Sequence, residues 1–131
     1  MKTLIVEDDL TSRLLLQGIL NRHGAVHIAV NGREATDAVD AAINAGAPYD
    51  LICLDVMMPV MDGIEALKEI RKREEADGIL SSYGAKIFMT TGVDHMKNIM
   101  VAFHGLCDAY LIKPVRKVEL LEQLHAFRLI G

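Results

Sequence analysis

Short apolar runs alternate with stretches in which apolar residues recur every three or four positions along the 131 residues of the chain. Lys2–Val6 is a compact apolar run ending in three acids, Glu7, Asp8 and Asp9, and predicts a buried strand. With Asp9 or Thr11 as its cap, a helix follows in which Leu14, Leu15, Gly18 and Ile19 fall at helical spacing. Ala25–Val30 predicts a second, weaker strand, bounded by Gly24 and by Asn31-Gly32. Arg33–Ala45 reads as a helix with its alanines, Val39 and Ile43 on one side, stopped by Gly46 and Pro48. Leu51–Asp55 predicts the third strand. Asp62-Gly63 opens a helix to about Glu75 that carries Ile64, Leu67 and Ile70 inward. Ala85–Thr91, His95–Gly105 and Ala109–Lys113 predict a strand, a short helix and a strand. Val118, Leu121, Leu124 and Phe127 line a last helix ending near Arg128.

Five β/α units in succession predict an α/β fold built on a parallel sheet. No linker, repeat or low-complexity tract interrupts them, so residues 1–131 read as a single domain. One irregular segment, Ala76–Gly84, predicts a long surface loop. Fourteen basic and 18 acidic residues leave a net charge of −4, which argues against a direct nucleic-acid partner because phosphate binding needs a basic face. Cys53 and Cys107 each lie in apolar surroundings and read as reduced thiols, not as a disulfide framework. No leader and no membrane-length apolar run is visible, and the expectation is a soluble, cytoplasmic protein without membrane association.

The stretch DLICLDVMMPVMDG, Asp50–Gly63, sets a carboxylate, Asp55, at the end of an apolar strand. A buried ionised carboxylate is costly unless it is paired. In an open parallel sheet, ligands bind beyond the carboxyl ends of the strands. Those ends carry Asp8-Asp9, Asp55, Thr90-Thr91 and Lys113-Pro114. Each alone is commonplace as a cap, a loop residue or a solvated lysine; four strand ends carrying these groups together are not. Converging carboxylates repel and imply a cation, and oxygen ligands suit a hard one, Mg²⁺ or Mn²⁺. A metal, a lysine and a hydroxyl together suit a phosphoryl group, with Asp55 as the nucleophile that would carry it.

Glu7-Asp8-Asp9, LDVMMPVMDG, the threonine closing strand four, and YLIKP at Tyr110–Pro114 resemble the receiver domain of two-component response regulators, of the single-domain chemotaxis type. The resemblance implies a flavodoxin-like (βα)5 doubly wound parallel sheet of strand order 2-1-3-4-5. It implies that Asp8 and Asp9 bind Mg²⁺ with Asp55, the backbone carbonyl of Met57 being a further ligand. Asp55 would take its phosphoryl group from a phosphohistidine on a sensor histidine kinase or phosphotransfer protein. Receiver domains place the switch threonine twenty-two residues before the lysine, with a small residue after it, which selects Thr91, followed by Gly92, over Thr90. Tyr110 occupies the aromatic switch position. The readout would be a downstream protein, or a phosphorylation-dependent homodimer, at the face formed by residues 95–105, strand five and the last helix. Leu106 stands where a glycine is common, and the Ala76–Gly84 loop lengthens the path from Asp55 to Thr91.

On this reading the chain is a signalling switch that catalyses only its own phosphorylation and slow dephosphorylation. Met57 and Val93 cannot orient an attacking water, which predicts a phosphoryl lifetime of minutes or longer. Two other classes remain open. A Mg²⁺-dependent phosphatase of the haloacid-dehalogenase kind also uses a strand-end aspartate, but wants a second acid where Met57 stands. A phosphorylation-independent interaction module would not need Asp8, Asp9, Asp55 and Lys113, all of which are present.

Overall fold

A computed structural model of the chain describes residues 1–58, 60–79, 83–92 and 106–131. The predicted helix His95–Gly105 and Val93 lie outside the described residues. The apolar runs form β1 (Thr3–Val6), β2 (Val26–Ala29), β3 (Leu51–Asp55), β4 (Lys86–Thr91) and β5 (Ala109–Ile112). All pair in parallel, in the order β2-β1-β3-β4-β5, as the resemblance implies. The helices are α1 (Leu10–Leu20), α2 (Gly32–Asn44), α3 (Gly63–Ala76) and α4 (Lys117–Ala126), with a 3₁₀ turn at Asn21–His23 after α1. Side-chain oxygens of Asp9, Asn31 and Asp62 accept from the backbone N–H groups of Ser12, Glu34 and Glu65, which fixes where α1, α2 and α3 begin.

Period-two alternation along the strands feeds two separate cores, one on each face of the sheet. Leu4, Val6, Ile52, Leu54, Ile87 and Met89 pack with residues of α2 and α3. Ile5, Leu51, Cys53, Phe88 and Leu111 pack on the opposite face with Leu16, Ile19 and Leu20 of α1 and Leu120 and Leu124 of α4. A strand buried on both faces reads as a continuous apolar run, and β3 is buried at all five positions.

Two helix faces differ from expectation. In α1 the buried residues are Leu16, Ile19 and Leu20, while Leu14 and Leu15 are 56% and 41% exposed. Three consecutive leucines fit more than one helical phase, and the Asp9 cap sets the phase that turns Leu16 inward. In α4 the buried residues are Leu120 and Leu124, and Val118 is exposed. Both cysteines are free, Cys53 buried and Cys107 half-buried. Among the described residues no helix is long and apolar enough to cross a membrane.

Candidate functional site

The strand ends converge as the topology requires. Asp55 closes β3, is only 3% exposed, and pairs in register with Thr90 on β4. Glu7, one residue beyond β1, is 1% exposed. Carboxylate oxygens of Glu7, Asp8 and Asp55 lie within 4.8 Å of one another, Asp8 being the exposed member. Asp9 does not join this group. Its exposed carboxylate caps α1 by accepting from Ser12 N at 2.9 Å, and that N–H bond holds its pKa below the ordinary value.

The sequence reading therefore placed the acidic cluster one residue too far along. Alternation explains the shift. Ile5 packs on the α1/α4 face with Cys53, so Glu7, two residues on from Ile5, shares the face of Asp55, two residues on from Cys53. Asp9 is drawn instead into the first turn of α1, where the backbone offers its unpaired N–H groups. The legible signals were this alternation and the three-residue interval from Asp9 to Ser12.

Lys113, directly after β5, reaches the centre of the cluster. Its ammonium ion-pairs with Glu7 Oε1 and lies 3.2 Å from Asp55 Oδ1. Burial would lower the ammonium's pKa, but hydrogen bonding to Glu7 and the charges of Asp55 and Glu7 outweigh it and raise the pKa. Asp55 is pushed up to about 7, first by burial, then by the adjoining Glu7 carboxyl, with Lys113 opposing. Among the described residues one ammonium faces these three carboxylates and does not balance them. Neither oxygen of Glu7 receives a well-directed hydrogen bond despite the ion pair. A buried, all-oxygen, under-neutralised donor set fits a hard divalent cation.

The loop after Asp55 is drawn tightly over it. Met57 N–H approaches Asp55 Oδ1 at 3.4 Å, while Met57 itself is 61% exposed. Gly63 N–H donates to Val56 O at 2.9 Å, and a Cβ on Gly63 would stand 2.1 Å from Asp55 O. Only glycine lets α3 start this close to the carboxylate-bearing residue. The Lys113–Pro114 peptide is cis.

The two threonines divide between the faces of the sheet. Thr90, with Glu7, Lys113, Leu15, Leu16 and Val115, lines a cavity of about 70 Å³ beneath the cluster. Thr91, 1% exposed, continues the opposite face through Met89, whose partner in register is Tyr110. Thr91 and Tyr110 thus share one face, and the Tyr110 ring turns inward against the α2/α3 core. Its hydroxyl is buried, and burial pushes its pKa up to about 12.

A family model described as the response regulator receiver domain matches residues 3–125. The transcriptional regulatory protein CitT of Halalkalibacterium halodurans is 32% identical over 96% of this chain. The match takes up 51% of CitT, so this chain spans about half the length of that relative. Among solved structures, a co-crystal of the Saccharomyces cerevisiae histidine phosphotransfer signaling protein Ypd1 with the receiver domain of its downstream response regulator Ssk1 matches. It does so with TM-score 0.80 and 30% identity, over 97% of this chain and 88% of that one. The receiver domain of a Pseudomonas aeruginosa sensor histidine kinase, with a magnesium ion coordinated in its active site cleft, gives TM-score 0.75 at 25% identity, over 96% and 95% of the two chains. With the sheet order, the acidic cluster and the shared lysine in place, the family match identifies the chain as a response regulator receiver domain of two-component signalling.

Proposed function

We propose that Asp55 accepts a phosphoryl group from a phosphohistidine of a sensor histidine kinase or phosphotransfer protein, in a reaction dependent on Mg²⁺ or Mn²⁺. The observation that carries this reading is the convergence of Glu7, Asp8 and Asp55 on a single ammonium, Lys113, at the carboxyl edge of the sheet. An Asp55 oxygen attacks phosphorus, the P–N bond breaks, and the ring nitrogen leaves with the electron pair. The bound cation would neutralise phosphoryl oxygens, held by the carboxylates of Glu7, Asp8 and Asp55 and the carbonyl of Met57. Lys113 is placed to exchange part of its pairing with Asp55 for a phosphoryl oxygen.

The partner must bring its phosphohistidine over this edge, where Leu10, Leu14 and Leu15 of α1 are exposed. Binding of a phosphotransfer protein to a receiver domain, as in the Ypd1–Ssk1 co-crystal, supports that reading. The phosphoaspartate adds about −1.5 to −2 charge. Thr91 would move toward its oxygens and Tyr110 would respond on the shared face, altering the surface of residues 95–105, β5 and α4. That surface would then meet a downstream protein or a second copy of the chain. Arg116, Lys117, Glu119 and Glu122 are exposed along it and Gln123 is half-buried. The chain acts as a switch and not as an enzyme on other molecules, and two free thiols support a cytoplasmic location.

The test is incubation of the protein with Mg²⁺ and acetyl phosphate, followed by intact mass measurement. A gain of one phosphoryl group, absent in Asp55→Asn and in EDTA, is expected. Multiple turnover of phosphate esters would favour a phosphatase, and no gain with wild type would overturn the reading.

A further inference from the structure

Gly32 is the first residue of α2, and its N–H is among those at a helix start that no carbonyl of the helix can accept. It donates instead to Met61 O at 3.0 Å, in the connection between β3 and α3. A Cβ on Gly32 would stand 2.4 Å from that oxygen and 2.8 Å from Met61 Cγ. The bond therefore needs both the N–H and the absence of a side chain. Asn31 Oδ1 and Asn31 O accept from Glu34 N and Ala35 N, so the start of α2 is fixed independently of Met61.

Met61 is 8% exposed and packs in the α2/α3 core. The connection that carries it is also tied at its ends: Gly63 N–H donates to Val56 O at 2.9 Å, and Val56 N–H to Thr90 O at 3.1 Å. Between these holds Val60 has a φ of 70°. A β-branched residue in the left-handed region is an outlier, and such a backbone persists only where its surroundings over-determine it. Packing of its own side chain is not the cause, because Val60 is 81% exposed. The ties on either side impose it. Nearer β3 in the same connection, Met57 N–H leans on Asp55 Oδ1 at 3.4 Å.

We propose that Gly32 is a positioning residue for the Asp55 site: by seating Met61 O against the start of α2 it holds the β3–α3 connection closed, with Val60 left-handed and Met57 N–H on Asp55. A site held in this way meets its cation already shaped. That consequence for Mg²⁺ rests on the proposed role of the acidic cluster, whereas the hold on the connection does not.

The ¹⁵N-labelled full chain is studied by NMR, first in EDTA, so that the hold is read without any ligand. In wild type the Gly32 N–H should exchange in D₂O far more slowly than a free first-turn N–H. Exchange at the unprotected rate would overturn the proposal with no variant needed. Gly32→Ala should move the Met57 amide resonance in EDTA and weaken Mg²⁺ binding, followed on the same spectra, by about tenfold, as loss of an outer partner of a metal site does. Val39→Ala, buried on the same helix, should lower Tm and leave both readings unchanged. Equal changes in the two variants would make the effect one of general stability and overturn the proposal. An unmoved Met57 resonance or an unchanged Mg²⁺ affinity in Gly32→Ala would do the same. Val60→Gly removes the conformational cost and should raise Tm in wild type, but less in Gly32→Ala, where the connection is free to relax; strictly additive Tm changes would count against the hold and overturn it. Should wild type bind no Mg²⁺ while the Met57 resonance and Tm respond as expected, the cation reading falls and the positioning role stands.

Discussion

Glu7 and Asp55 share one cation, the Lys113 ammonium, which contacts Glu7 Oε1 and lies 3.2 Å from Asp55 Oδ1. Without a metal that arrangement has a pH signature. The Asp55 carboxyl is raised from 3.8 to about 7, by burial first and by Glu7 second. A carboxyl with a raised native pKa binds its proton more readily folded than unfolded, so its contribution to stability falls as pH rises. The loss runs from about pH 4 to about pH 7 and is complete above that. In EDTA, the Tm of Asp55→Asn should therefore gain on that of wild type across this window. A difference between the two that stays constant from pH 4 to pH 8 would show that Asp55 titrates normally. Glu7→Gln removes the second cause and should shift the window downward.

Asp8 and Asp9 are adjacent but have different work. Asp8 offers an exposed oxygen to the acidic cluster, whereas Asp9 caps α1 through Ser12 N. Asp8→Ala is expected to weaken Mg²⁺ binding by about tenfold or more, since even outer partners of a metal site are worth 10–100-fold, with little change in Tm. Asp9→Ala should do the reverse, lowering Tm while Mg²⁺ affinity stays near wild type. Calorimetric titration and thermal melts on the two variants separate the assignments. Loss of Mg²⁺ binding in Asp9→Ala alone would return the ligand role to Asp9.

Two arginines on α3 should differ widely in their contribution to stability. Arg71 neutralises Glu74, which is 5% exposed, together with Asp108, and also satisfies two carbonyls. Arg71→Met leaves a buried carboxylate without its cation, a loss of about 3–5 kcal/mol. Arg73 pairs with Asp40 at 3.0 Å, but the Asp40 side chain is 46% exposed. Arg73→Met should cost only about 0.2–1 kcal/mol. Urea unfolding of the two variants checks the contrast; equal losses would mean that Glu74 finds water or another partner once Arg71 is gone.

The elements were legible wherever one period dominated. β3 was read to the residue, because an unbroken run buried on both faces ends at a charged residue. The phase of α1 was not legible, because leucines at 14, 15 and 16 satisfy more than one face and only the cap chooses. The same cap decided the acidic triplet: three consecutive acids look alike in sequence, Glu7 and Asp9 have the same strand parity, and only the bond from Ser12 N that draws Asp9 into α1 tells them apart. The Arg71–Asp108 contact spans 37 positions and joins a helix to a loop. No local pattern announces it, because its partners are brought together by the sheet and not by spacing along the chain.

Met57 governs how the proposed phosphoryl group would be lost. Its N–H leans on Asp55 Oδ1 at 3.4 Å, and the residue is 61% exposed. A thioether cannot orient an attacking water, so hydrolysis lacks assistance from this position. Protein phosphorylated by acetyl phosphate and freed of donor is expected to release phosphate over minutes or longer. Met57→Gln supplies an amide able to hold that water and should shorten the lifetime by about tenfold, below the 10²–10⁴ of full general-base catalysis. Phosphate release followed in wild type and variant decides the matter. A wild-type lifetime of seconds would show that another group assists, and identical lifetimes would show that the Met57 side chain lies off the path of the water.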